Sequence, residues 1–273
     1  MIYEEDIIAG FHDQIFAFIE VEESEHVLSI RLDRAHKKNA INPVMVNELA
    51  YAMSYAHHNN QIWVVLLEGK GDVFCAGADL KSFMGVMEEH NSSIPNPSEE
   101  VLLGELFRGL HKPCIAKLTG HVLAGGFLFI AGCTHVIAAP DIRLGLPEVK
   151  RGLFPYQVMA SLMEIMPARK VLDWCMRGYD LPLEEALSYG LVTQISDRSE
   201  IDNTVNSLIN DIKSNSPSAI RMGLESYAHL GAKAHSEQHN YLKNMLMKTI
   251  QTKDAQEGIQ AFKEKREPVW TGE

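Results

Sequence analysis

Two short glycine-bearing stretches carry the residues whose spacing could do chemistry. One is Cys75-Ala76-Gly77-Ala78-Asp79 and the other is Leu123-Ala124-Gly125-Gly126. Each follows an apolar run that reads as a strand. Adjacent glycines cost chain entropy on folding, so something must come close to the backbone at Gly125 and Gly126. No acid, base or thiol follows them until Cys133. Two converging backbone N–H groups make an oxyanion hole, and donors aimed at developing negative charge are a large catalytic effect. A donor at the first turn of a helix through 126–133 gains from the helix dipole. The same spacing also fits two tight turns packed against each other in a core, and the residues alone leave both readings open.

Other chemistries lose ground. Neither GxGxxG nor GxxxxGK[ST] occurs, and the glycines at 69, 71 and 77 in GKGDVFCAGADL fit neither spacing. The hydrolase motif GxSxG is absent as well. Cys75, Cys114, Cys133 and Cys175 are scattered with no CxxC pair. They read as reduced thiols in a cytoplasm-like compartment. A metal site needs clustered ligands, and none is expected. His57–His58 and the stretch from His235 to His239 read as polar helix residues. A net charge of −11 argues against nonspecific nucleic-acid binding. No apolar run reaches the roughly 18–20 residues of a membrane span, and the acidic opening MIYEEDIIAG reads as no signal peptide.

The elements that must position the two turns alternate in type. Residues 16–21 and 26–32 read as strands around a turn at Glu23–Glu25. Residues 63–69, 114–120 and 136–139 are further short apolar strands, as expected when both faces are buried. Between them, Val46, Leu49, Met53 and Ala56 recur at helical spacing within 43–59. Residues 99–110 and 156–166 read as helices, and 90–98 as a mobile surface loop. Alternation of this kind predicts an α/β fold. From about residue 200 the strands stop. Ser216–Pro217 starts a helix, and 236–251 and 254–266 follow. Ala255, Ile259 and Phe262 form an apolar stripe that needs a surface, either the chain's own body or another subunit.

FCAGADLKSF (74–83) and GHVLAGGFLFIAGCTHVIAAPDIRLGLPEVKRGLFP (120–155) resemble the crotonase, or enoyl-CoA hydratase/isomerase, family. KKNAIN (37–42), LPLEEALSYGLVTQI (181–195) and DAQEGIQAFKEKREPVW (254–270) fit it too. The resemblance spans roughly 16–270. It implies a spiral of ββα turns over 16–200, a helical trimerisation region over 201–273, and residues 1–15 as an extension. It further implies acyl-CoA thioester substrates, no cofactor beyond the coenzyme A of the substrate, and a homotrimer or homohexamer. By position, the N–H groups of Ala78 and Gly125 would hold the thioester oxygen. Ala76, Asp79 and Leu80 would line the adenine pocket. Lys38 and Lys81 would lie near the CoA phosphates, and Lys265 would reach a neighbouring subunit's ligand.

Members that hydrate enoyl-CoA typically carry two glutamates. The second is present here as Glu148 in Leu146-Pro147-Glu148, but the position of the first holds Leu128. Adding water across a double bond divides naturally between two carboxylates. Moving a double bond from C3 to C2 needs one base, which takes the α-proton and returns it at C4. Leu128 would keep water from the acyl chain. The resemblance therefore implies Δ3-to-Δ2-enoyl-CoA isomerisation with Glu148 as shuttle. Hydration is the alternative, and a non-catalytic acyl-CoA binder or a decarboxylating relative are further ones. Glu88, Glu89, Glu105, His121 and Tyr156 are the candidates to replace the missing acid.

Overall fold

Runs such as Val64-Val65-Leu66-Leu67 have no polar face to offer water, so they fold as strands covered on both sides. The computed structural model describes residues 1–86 and 88–273, with the side chains of Phe83 and His235 outside that description. Its strands are β1 (Ile19–Ser24), β2 (Val27–Leu32), β3 (Val64–Gly69), β4 (Val73–Cys75), β5 (Cys114–Leu118), β6 (His121–Leu123), β7 (His135–Ala138), β8 (Leu144–Gly145), β9 (Asp180–Leu181) and β10 (Gln194–Ile195). They form two sheets, ordered β1-β2-β3-β5-β7-β10 and β4-β6-β8-β9. The β1–β2 pair is antiparallel, and β2, β3, β5, β7 and β10 run parallel.

The helices are α1 (Glu5–Ile8), α2 (Pro43–His58), α3 (Leu80–Phe83), α4 (Leu103–Gly109), α5 (Phe127–Gly132), α6 (Tyr156–Leu162), α7 (Ala168–Arg177), α8 (Leu183–Ser188), α9 (Ile201–Lys213), α10 (Pro217–Leu230), α11 (His235–Thr249) and α12 (Lys253–Glu264). The order β3-β4-α3, β5-β6-α5, β7-β8-α6 is a ββα unit repeated. Each unit gives one strand to the large sheet and one to the small sheet. This is the expected α/β spiral followed by helices. Trp174, Tyr51, Phe74, Phe127 and Phe129 are fully buried at its centre. No described helix is long and apolar enough to cross a membrane.

Several local expectations shift. The first strand begins at Ile19 rather than residue 16, because the N–H groups of Ala17 and Phe18 donate to the buried Glu48 carboxylate at 2.6 and 2.9 Å. The hairpin turn is Glu25-His26, with φ of 47° and 70°. Two left-handed residues match the twist of the flanking strands. Helix α2 is covered nearly all round: Met45, Leu49, Ala50, Tyr51, Ala52, Met53 and Ala56 are all buried. Helix α4 covers less than the expected 99–110, and α6 less than 156–166. The 90–98 segment is anchored. Ile94 is buried, Ser93 N donates to Ile15 O at 3.0 Å, and Pro95 O accepts from Tyr3 Oη at 2.6 Å. Residues 1–15 put Tyr3, Ile8 and Phe11 into the same core as α2. Ser216 caps α10 as expected, accepting from Ala219 N at 3.1 Å.

Candidate active site

The two glycine-bearing turns meet. Strands β4 and β6 are parallel neighbours, so the residues that leave them are carried to the same edge. A Cβ added to Gly77 would lie 2.9 Å from Gly125 N and 2.6 Å from Ala124 Cβ, and Gly77 itself has φ +89°. A Cβ on Gly125 would lie 3.4 Å from Ala78 N. The second turn is a 3-10 turn at Ala124–Gly126 that leads into α5, and Ala124 has φ 52°. A left-handed alanine is strained, and such strain is held only where surrounding structure imposes it. The glycine pair divides its work. A Cβ on Gly126 would press on Cys75 O at 2.9 Å, so Gly126 is a packing glycine, whereas Gly125 faces the Ala78 amide.

The Ala78 amide is aimed by its neighbours. Ile41 N donates to Gly77 O and Asp79 N donates to Ile41 O, both at 2.8 Å. This one-residue parallel bridge between Ile41 and Ala78 uses the groups on either side of Ala78 and leaves its own N–H pointing away. Among the described residues nothing accepts from it. Gly125 is the second residue of its helical turn, where N–H groups have no intrahelical partner. Two donors thus share one small region, the geometry that stabilises an oxyanion.

Glu148 opens a 3-10 turn, Glu148–Arg151, after β8. Its Oε2 is the one buried side-chain oxygen or nitrogen without a hydrogen-bond partner among the described residues. Burial holds its pKa above the usual glutamate value, against smaller opposing effects from a backbone hydrogen bond and Arg151. Its neighbour on α7 is Cys175, whose thiol is pushed up to about 11 by burial and then by the Glu148 charge. The other buried acids differ. Glu48 accepts from two amides, Glu68 pairs with Arg31 and Lys117, and Asp254 accepts from the N–H groups of Ser218, Thr271 and Gly272. Leu128 is on α5, 8 % exposed and part of the core.

The remaining candidates are tied to the two turns to different degrees. Ala76 N donates to Lys38 O at 3.0 Å, which ties the KKNAIN segment to the first turn. Lys38 is exposed, with φ 54°. Asp79 caps α3, accepting from Lys81 N at 3.1 Å. Leu80 and Lys81 are exposed. Lys265 is exposed at the C-terminal end of α12 and shares no hydrogen bond or ion pair with the two turns. Of the substitute acids, Glu88 is held by Arg34 and His36, Glu89 and Glu105 are exposed, His121 Nδ1 accepts from Arg143 N at 3.1 Å, and Tyr156 is 72 % exposed.

Sequence reasoning passed over Arg34 and Asn39. Asn39 is fully buried. Its side chain accepts from Arg34 N at 2.9 Å and donates to Lys70 O and Val73 O at 2.9 and 2.8 Å. Arg34 is 1 % exposed and bonds Asp79, Glu88 and Ala40 O. The charged pair Asp33-Arg34 directly after the apolar strand VLSIRL was the available signal. Beside the site, a cavity of about 470 Å³ begins at Ile41 and runs past Val44 and Val46 of α2 to Ile94 and Val101. No group of three or more His, Cys, Asp or Glu able to hold a metal occurs among the described residues, and the four cysteines are free.

Comparison with known proteins agrees with this architecture. The family model described as enoyl-CoA hydratase/isomerase matches residues 22–273. The chain is 30% identical to a carnitinyl-CoA dehydratase of Salmonella over 252 residues, covering 90% of this chain and 95% of that one. It is 28% identical to a mevalonyl-coenzyme A hydratase of Aspergillus fumigatus over 250 residues, covering 90% and 91%. Among solved structures, an enoyl-CoA hydratase from Mycobacterium tuberculosis superposes with a TM-score of 0.82 at 29% identity, covering 94% of this chain and 99% of that one. One from Bacillus anthracis gives 0.82 at 28%, covering 94% and 100%. Strand order, paired glycine turns and sequence similarity along nearly the whole chain agree: the protein belongs to the enoyl-CoA hydratase/isomerase family of the crotonase superfamily.

Proposed function

We propose that the protein is an acyl-CoA enzyme that forms an enolate at the Ala78 and Gly125 amides and moves protons with Glu148 alone. Held by two preorganised donors, the thioester oxygen accepts the charge that develops when the α-proton leaves. Glu148 takes that proton from C2 of a 3-enoyl thioester and delivers it to C4. The C2–H pair first forms the C1=C2 bond of the dienolate as charge passes to the thioester oxygen. The C3=C4 pair then takes the proton at C4, the C1=C2 pair becomes C2=C3, the carbonyl re-forms, and Glu148 ends ionised as it began. The observation that carries this reading is the buried, unpartnered Oε2 of Glu148. A structural carboxylate would have found a partner, whereas a proton carrier needs a free lone pair and a raised pKa.

Leu128, buried on α5, supports isomerisation over hydration because it supplies no second group to activate water. The names of the carnitinyl-CoA dehydratase and mevalonyl-coenzyme A hydratase relatives favour a second reading, addition or loss of water at a hydroxyacyl thioester. A rate comparison separates the two. The isomerase reading expects trans-3-hexenoyl-CoA to be converted to the 2-enoyl ester faster than crotonyl-CoA is hydrated. The reverse ranking replaces it with the hydratase reading, and binding of both esters without turnover would make the protein a non-catalytic binder. In this reading Ala76, Asp79 and Leu80 flank the adenine, Lys38 and Lys81 meet the phosphates, and Lys265 acts across a subunit boundary. The reduced cysteines suit the cytoplasm.

A further inference from the structure

We propose that Arg34 is a positioning residue for the Ala78 amide, through its grip on Ala40 and Asp79. The inference rests on the reading of Ala78 as an oxyanion donor and deepens it. Arg34 sits two residues past the end of β2 with its guanidinium out of water, at 1 % exposure. Nη1 donates to Ala40 O at 2.9 Å, and Nη2 to Asp79 Oδ2 at 2.7 Å. These two partners bracket the bridge that aims Ala78. Ala40 precedes Ile41, whose N–H and C=O hold Gly77 O and Asp79 N. Asp79 follows Ala78 directly. The planar fork thereby fixes the separation of the two chains on which the direction of the Ala78 N–H depends.

A second layer holds the guanidinium itself. Nε and Nη2 both donate to Glu88 Oε2, Glu88 Oε1 meets His36 Nε2 at 2.7 Å, and Phe18 lies 5.3 Å from the guanidinium carbon. Asn39 accepts from the Arg34 N–H at 2.9 Å. Arg34 therefore has one orientation, set from the strand side, the Glu88 side and the Phe18 side. A lysine would keep the charge but could not span Ala40 O and Asp79 Oδ2 from one rigid plane. Asp79 also caps α3 through Oδ1. Asparagine caps as well as aspartate, so Asp79→Asn weakens the ionic contact while leaving the cap.

The test reads the amide's action on a bound carbonyl. Butyryl-CoA labelled with 13C at the thioester carbon is bound to native protein, Arg34→Lys and Asp79→Asn, and its carbonyl resonance is recorded. Turnover of trans-3-hexenoyl-CoA and thermal midpoints are measured on the same samples. Native protein is expected to move the carbonyl resonance downfield. Both variants should bind the ester with a smaller displacement and lose about tenfold or more in kcat, with KM within a few-fold, since a misplaced group can cost up to ~10²-fold. Variants that only melt earlier, with native carbonyl shift and native kcat, overturn the positioning role and leave the oxyanion reading intact. Native protein that binds the ester without a downfield shift overturns both. If Arg34→Lys does not fold, Asp79→Asn alone decides between these outcomes.

Discussion

Half-buried Glu148 differs from buried Asp254 in what its environment does to its proton. Asp254 is out of water, and burial pushes its pKa up, but N–H groups from Thr271 and Ser218 hold it below the usual value. Glu148 Oε2 has no such donors, so burial prevails and its pKa stands above the ordinary glutamate value. The consequence for stability has a definite sign. Between the ordinary glutamate pKa and the raised one, the unfolded chain releases the proton while the folded chain keeps it. Stability is therefore full below the ordinary value and falls as pH rises through the folded value. Glu148→Gln cannot ionise and escapes that loss. The substitution should thus lower kcat at least ~10²-fold while the thermal midpoint at neutral pH stays level or rises. In the native enzyme, the acid limb of kcat/KM should lie above the ordinary glutamate range. A variant that turns over within a few-fold of native removes Glu148 from the proton chemistry, and one that melts earlier overturns the stability cost assigned to its carboxylate.

The elements were legible where local pattern decides structure. Strands β3, β5 and β7 and helix α2 announce themselves by apolar runs and helical spacing, and Ser216–Pro217 by its cap. The short strands β4, β6 and β8 carry too few residues for any period, yet they bring the two glycine turns together. The residues on those turns were found by motif and by resemblance, because glycine spacing alone fits a packed core equally well. The Arg34 contacts to Asp79 and Glu88 join positions 45 and 54 residues apart, and no local pattern encodes a partner at that distance. The N-terminal segment was missed for the same reason. Its Tyr3, Ile8 and Phe11 pack against α2, with Phe11 stacked on Tyr55 at 3.8 Å and Tyr3 edge-on to Tyr51 at 5.2 Å. Burying such a side chain contributes roughly 1.5–3 kcal/mol each, against a total of about 5–15 kcal/mol for a domain. Deletion of residues 1–15 should therefore lower the urea midpoint sharply or leave the chain insoluble. A truncated protein with the native midpoint would make the segment a dispensable extension.

At the scale of the whole molecule, the C-terminal helices are well tied internally and unfinished externally. Asp254 accepts from Ser218, Thr271 and Gly272 amides, and Trp270 Nε1 donates to Ser214 O at 3.0 Å, so the tail is locked onto α10 and α12. Ala261 of α12 is buried, but Ile259 and Phe262 face outward, Phe262 at 85 % exposure. They border an open groove of about 480 Å³ with Ala219, Ala255 and Trp270. The stripe that needed a surface has not found it within one chain. We expect the surface to be another copy, giving a homotrimer or a hexamer of two trimers. Light scattering should then report at least three times the 30.6 kDa chain. Phe262→Ser should shift that mass toward the monomer. Its effect on the folded monomer itself should be small, because a side chain so exposed loses few contacts inside its own chain. A native monomer, or an oligomer whose mass is indifferent to the substitution, would place the subunit boundary elsewhere and take the proposed role of Lys265, at the end of the same helix, with it.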